Sequence, residues 1–526
     1  MPAESTQAPS GTRRLMSPKA AISVANAVIG AILGTAALVF IAQNMGPSPL
    51  GVLAYAMAFV GMLSFLSDFG VGSVHARQIN MCADPAKCLG AYAVIKITLL
   101  AIFSIVTFVL IELWDHGWFA GAFSTDPAAE DALKVFLSYY ILLGLCQIAT
   151  HTFDAMGSVV KAQTPALLEV IVRVSFIIYV TLTFSNSPEA PAYLAAAYGM
   201  GIIAASVLVA LLLSQLKFTK PDRETLITYI RSLAPVFLVS VIIIVDLYLD
   251  KVVVGYYWGE YEVGLYFGVQ KMAVFVGVFS MSVATLILPS VTTYFMRNDV
   301  VASREVVNQA ERYVSLIVIP TAAFYLAYGS QILSEFLGPD FGQNVRAMNL
   351  LVLSGAVLAL VLPLRSAIAG ADSPRTLFMV GLGGLLLQLI LLLVLVPDRI
   401  LGFAALGLKS SGAALALLVC SIYYFFVLRY MAWKTAKIVP DSRSFKHVFA
   451  ALVMVGVMYV MQWAILGRVD WLALILLAIV GTMTYAVTAY VMGELEPSDY
   501  RYFRSMLHPQ DTLKYVVNEL LGKRAP

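Results

Sequence analysis

What most restricts this chain is the recurrence of apolar runs about twenty residues long over nearly its whole length. A helix needs roughly 20 predominantly apolar residues to cross the hydrocarbon core of a bilayer. Runs of that kind lie near residues 20–43, 50–68, 90–112, 132–154, 165–185, 192–216 and 230–256. A second set lies near 263–289, 311–336, 347–370, 376–396, 411–433, 446–466 and 471–492. Inside lipid the backbone must satisfy its own hydrogen bonds, so the runs predict an all-α polytopic membrane protein of about fourteen helices. The connections are short and carry Gly, Pro or polar residues, so none holds a soluble domain.

Composition excludes the soluble alternatives. Residues of the AVILMFWYC set make up 60% of the chain and charged residues only 12%, against roughly 45–50% and about 25% in soluble domains. A net charge of +3 gives no footing for nucleic acid. The cysteines, Cys82, Cys88, Cys146 and Cys420, form no CxxC pair and have no histidines at zinc-finger spacing, so free thiols and no metal are expected. The polar stretch before residue 20 reads as a cytosolic tail leading into an uncleaved first span, because the apolar run is too long for a signal peptide.

Charge placement gives the orientation. Tails and alternate loops counted from the N-terminus hold 24 of the 34 Lys and Arg residues, and the opposite loops hold 5. Basic residues concentrate on the cytosolic side, so both termini are expected there.

The remaining cations fall inside spans: Lys96, Arg173, Lys251, Lys271 and Arg365. An intramembrane charge costs roughly 2.5–3.5 kcal/mol on insertion scales and usually faces a partner or a wet cavity. Lys96 and Arg365 lie near a cytosolic end, where snorkelling suffices. Arg173 is deeper, with Glu169 one turn away for an intrahelical pair. Asp246 and Asp250 share one face of the seventh span, Lys251 follows directly, and Lys271 on the returning helix sits at a depth where it would supply their cation. That constellation is either a polar cavity wall or a buried ion-pair cluster fixing helix register. Asn26 adds a polar group in the first span.

A repeat is visible at an offset of 213 residues: Gly46-Pro-Ser-Pro-Leu-Gly51 aligns with Gly259-Glu-Tyr-Glu-Val-Gly264, each between two spans. It predicts a tail at 1–19, one six-helix lobe over 20–216, a second over 217–433, two appended spans in 434–492, and a cytosolic tail at 493–526. In that tail Leu513, Val516, Val517, Leu520 and Leu521 lie on one face of an amphipathic helix. Repeats of this kind in transporters place substrate between the lobes.

These segments resemble the polysaccharide (O-antigen, Wzx-type) flippases of the multidrug/oligosaccharidyl-lipid/polysaccharide exporter superfamily. The residues that carry the resemblance are Asn44-Met-Gly46-Pro-Ser-Pro-Leu-Gly51, then Ser67-Asp68-Phe-Gly70 with Arg77, then Leu249-Asp250-Lys251-Val-Val-Val-Gly255 with Glu262-Val-Gly-Leu-Tyr266 and Lys271. Pro289, Leu337-Gly-Pro-Asp-Phe341 and Ala369-Gly-Ala-Asp-Ser-Pro-Arg375 extend it, so that it covers about residues 15–495. It implies a multi-pass cell-membrane protein whose two-lobe bundle encloses a cationic cavity. That bundle would move a polyprenyl-linked oligosaccharide from the cytosolic to the outer leaflet by alternating access. Membrane lipids and a glycan polymerase or glycosyltransferases would be its partners.

Lys271, Lys251, Arg173, Arg365 and Asn26 are then the candidate cavity residues, and Asp246, Asp250 and Glu169 the charge-pair or coupling residues. A cation-coupled multidrug antiporter of the same superfamily and a lipid-II-type flippase are the alternatives. No HExxH, P-loop or GxSxG motif is present, so neither catalysis nor a cofactor is expected.

Overall fold

The computed structural model describes residues 18–277 and 300–495, apart from 83, 119–120, 122–126, 371–373, 401, 439–442 and 468. The amphipathic stretch 513–521, Pro289 and most of both tails lie outside the described residues.

The first helices are α1 (Pro18–Met45), α2 (Pro47–Leu63), α3 (Phe65–Asp68) and α4 (Val71–Gln78). They are followed by α5 (Pro85–Asp115), α6 (Pro127–Ala155), α7 (Val159–Phe184), α8 (Ala190–Leu213) and α9 (Arg223–Ala273). After these come α10 (Val300–Phe336), α11 (Pro339–Gly342), α12 (Val345–Gly370) and α13 (Pro374–Leu395). A two-residue hairpin, β1 (Arg399–Ile400) and β2 (Phe403–Ala404), leads to α14 (Lys409–Ala436), α15 (Arg443–Met461) and α16 (Trp471–Val491). Among the described residues twelve helices are separately long and apolar enough to cross a membrane. The polytopic all-α expectation therefore holds.

The seventh and eighth expected spans lie together in α9, with no connecting loop of the length read from sequence. The separation there is the single residue Gly259, at φ 76° and ψ −172°. Asp250 accepts hydrogen bonds from Tyr266, 16 residues on, and from Gln270, 20 residues on. A straight helix would hold residues 16 apart at about 24 Å, so the chain doubles back at Gly259. Its counterpart Gly46, between α1 and α2, has φ 74° and ψ −167°. Only glycine occupies that region without strain, and the shared conformation gives the 213-residue offset a physical meaning.

Helices α2–α4 run along the first half of α9 through the depth of the bundle. The Tyr55 ring lies against Gly255, and Gly61 lies beneath Tyr140 and Tyr248, whose hydroxyls are 3.0 Å apart. Phe69 meets Phe237 edge-on at 4.6 Å. Further along, Gln78 donates to Ser232 at 3.1 Å, and Lys87 reaches Asp222 at 3.4 Å. Asp222 caps α9 by accepting from Thr225 N, and the Thr225 bonds, helped by Lys87, hold its carboxyl below the usual carboxylate range.

Cys82 and Cys88 are joined as a disulfide, against the expectation of free thiols. Asp84 caps α5 and Pro85 opens it, and this tight entry brings Cys88 in the first turn back beside Cys82, with Cα atoms 6.6 Å apart. Cys146 and Cys420 are free and buried, as expected.

Candidate functional site

Asp250 is the most completely satisfied charge in the bundle interior. Its Oδ1 accepts from Lys251 N and Lys251 Nζ at 2.8 and 2.9 Å, and its Oδ2 from Tyr266 Oη and Gln270 Nε2 at 2.8 and 2.9 Å. Lys251 also donates to Leu247 O at 3.1 Å. Asp250 and Lys251 are both buried, so this is a closed structural pair. Lys251 is thereby removed from the candidate cavity residues. The expectation that Lys271 would neutralise the carboxylates of the seventh span fails, because the cation came from the adjacent residue. Asp246 lies in the field of Arg365 and Lys251.

Lys271 points instead into a cavity of about 170 Å³ shared with Arg173. The walls come from α1, α2, α7, α8 and the second half of α9, and include Gly34, Leu53, Tyr198 and Phe267. Lys271 Nζ lies 5.2 Å from the centre of the Phe267 ring, and among the described residues no carboxylate is within ion-pair distance of it. Arg173 is held by Glu169, one turn away at 3.2 Å, and its guanidinium sits 4.5 Å from the centre of the Tyr198 ring. The intrahelical pair read from sequence is therefore present. Toward the cavity α1 presents Gly30 and Gly34, where an added methyl would meet no atom within 4 Å. A mostly apolar chamber lined by two cations has the chemistry to hold an anionic group of a larger amphiphile.

The other sequence candidates lie elsewhere. Asn26 donates to Gln163 at 2.8 Å and ties α1 to α7. Arg365 is exposed on α12, and neither residue lines the chamber. Gly46 forms the turn described above, and Arg77 is exposed at the end of α4.

Lys96 does not snorkel: it is fully buried and bonded to Asp68 at 2.9 Å and Gln147 at 2.8 Å. Beside it, His75 lies between Tyr229 Oη and Thr152 Oγ1, each at 3.0 Å, and stacks on Tyr92 at 4.1 Å. Thr152 spends its hydroxyl proton on Ile148 O, so His75 donates through Nε2 and receives the Tyr229 proton at Nδ1. Sequence reasoning missed this cluster, since single histidines and tyrosines on separate helices leave no spacing signal.

Comparison with known proteins places this geometry. Residues 19–295 match the family described as polysaccharide biosynthesis protein. The probable low-salt glycan biosynthesis flippase Agl15 of Haloferax volcanii is 21% identical over 336 residues, which is 62% of this chain and 66% of that relative's length. Among solved structures, the lipid II flippase MurJ in an inward closed conformation superposes with a TM-score of 0.72 at 16% identity, covering 90% of this chain and 98% of that one. An inward-facing multidrug resistance MATE family transporter of the MOP superfamily gives 0.64 at 15% identity, covering 80% and 99%. An outward-facing transporter of the same description gives 0.54 at 16% identity, covering 82% and 100%. These likenesses establish the polytopic transporter fold.

Proposed function

Since the chain belongs to the polysaccharide biosynthesis protein family, we propose that it is a flippase that carries a polyprenyl-phosphate-linked oligosaccharide from the cytosolic to the outer leaflet of the cell membrane. The observation that carries this reading is Lys271, a half-buried cation with no carboxylate partner among the described residues, lining the same chamber as Arg173. A charge left unpaired in such a site costs stability unless a ligand compensates it. A phosphate is that compensation, because it accepts from lysine and guanidinium donors together.

The account is non-covalent. The glycan is too polar to cross hydrocarbon unaided, so the protein's task is to replace water around phosphate and sugar during passage. The lipid tail stays in the bilayer. The lobes at 20–216 and 217–433 open alternately to either side around the chamber, with both termini cytosolic and the spans in 434–492 appended. A glycan polymerase or glycosyltransferases would act on the delivered glycan. A drug antiporter on the same fold would instead call for a carboxylate-dominated chamber.

Deletion of the gene followed by mass spectrometry and leaflet-accessibility analysis of lipid-linked intermediates tests the reading. Accumulation of complete lipid-linked glycan on the cytosolic face is the expected result. An unchanged pool with raised sensitivity to cationic dyes points to the antiporter.

A further inference from the structure

The two glycines that end the repeated motifs meet. A methyl built on Gly51 falls onto the carbonyl oxygen of Glu260 and comes 2.9 Å from Gly264 N. A methyl built on Gly264 falls onto the carbonyl oxygen of Pro47 and comes 3.0 Å from Gly51 N. Pro47 and Glu260 are themselves repeat equivalents, as are Gly51 and Gly264, so the contact is reciprocal across an approximate two-fold axis. Here α2 and the second half of α9 cross backbone on backbone, with no side chain between them. Small residues permit this close approach in membrane helices.

The crossing lies at the end of the bundle away from the N-terminus, just past the Gly46 and Gly259 turns. Gly51 is flanked by Leu50 and Leu53, which line the chamber, and Gly264 is seven residues, about 10 Å along a helix, from Lys271. It therefore lies between Lys271 and that end of the bundle. A seal made of side chains opens by rotamer changes, whereas one made of two backbones opens only when the helices separate as bodies. Among the described residues no ion pair holds the crossing itself, which is held by dispersion and weak Cα–H···O contacts.

We propose that the Gly51–Gly264 crossing is the outer gate of the chamber, and that it parts and re-forms in every transport cycle. This rests on the alternating-access reading above and adds its moving part. Because the facing atoms are backbone, even alanine at either position holds the helices apart and biases the chamber toward the outside. The reciprocal geometry requires Gly51→Ala and Gly264→Ala to act alike.

Gly34→Cys supplies a reporter, since it places a thiol on the chamber wall where the added Cβ meets no atom within 4 Å. In proteoliposomes of defined orientation, a membrane-impermeant sulfonated maleimide added on the outer side should label Gly34→Cys slowly. It should label the double variants Gly34→Cys/Gly51→Ala and Gly34→Cys/Gly264→Ala about tenfold faster or more, as a shift of roughly 1.4 kcal/mol in the gate equilibrium requires. The single variants Gly51→Ala and Gly264→Ala should both lose most transport while reaching the membrane in normal amount. Unchanged labelling overturns the gate, as does loss of the protein from the membrane, which would make the crossing static packing. If labelling is unchanged while Lys271→Ala still stops transport, the gate fails and the functional reading stands. If Lys271→Ala transports normally, the functional reading fails whatever the glycines do.

Discussion

Lys251 Nζ and Asp250 Oδ1 pair at 2.9 Å between sequence neighbours, and among the described residues Lys271 is left without a carboxylate. Consecutive residues on a helix point about 100° apart, so the contact exists only because the Lys251 side chain folds back over Leu247 O. One cation of the cluster is thereby structural and the other available, and the two should respond oppositely to removal.

For the structural member, Lys251→Met strands the Asp250 carboxylate among Tyr266 and Gln270. Breaking a buried pair from one side typically costs about 3–5 kcal/mol. Detergent-solubilised Lys251→Met should therefore melt well below the wild type, whereas Lys251→Met/Asp250→Leu should recover much of the loss. Lys271→Met removes an uncompensated charge, and its melting temperature should stay level or rise. Equal destabilisation by both single variants would contradict the division of roles.

Lys96 and Asp68 form a second pair, one fully buried and the other partly exposed. Asp68→Asn strands the fully buried Lys96 ammonium and should lower the melting temperature, and Lys96→Met should do so less, because the partly exposed Asp68 carboxylate it leaves can take up water. A thermal-shift series with the double variant would separate pair energy from desolvation, and additive effects would argue against direct coupling.

Gly46 and Gly259 share a backbone conformation that side chains avoid. Gly46→Ala and Gly259→Ala should each cost about 1–3 kcal/mol, with similar magnitudes because the turns are equivalent. Tolerance at one and collapse at the other, read from melting and expression, would break the equivalence.

If both ends are cytosolic, as we propose, an alkaline-phosphatase fusion after Arg443 is inactive and a cytosolic reporter at the same point is active. Activity of the phosphatase fusion would reverse the orientation.

The helices were legible because lipid imposes one length and one composition on every span. The repeat was legible through four glycines, two of which, Gly46 and Gly259, have a backbone conformation that side chains avoid, and two of which, Gly51 and Gly264, lie where another backbone comes too close for a side chain. The partners of the buried charges were not: Lys96 meets Asp68 across 28 residues, and His75 meets Tyr229 across 154. Such contacts depend on how helices pack, and periodicity within one helix is silent on that. The Cys82–Cys88 bond was hidden for a local reason, since it follows from the entry geometry of α5. Lys271 was legible from its depth, from the cost of burying a cation and from the family resemblance, and its freedom from Asp250 became visible only once Lys251 was placed.

The central claim, that Lys271 meets the anionic group of the cargo, is tested most directly by following lipid-linked oligosaccharide across proteoliposomes holding wild type, Lys271→Ala or Lys271→Arg at matched folded amounts. The account predicts that Lys271→Ala loses transport, by about tenfold or more for one lost charge-assisted contact of roughly 1.5–3 kcal/mol, and that Lys271→Arg keeps part of it. Wild-type transport by folded Lys271→Ala would contradict the account.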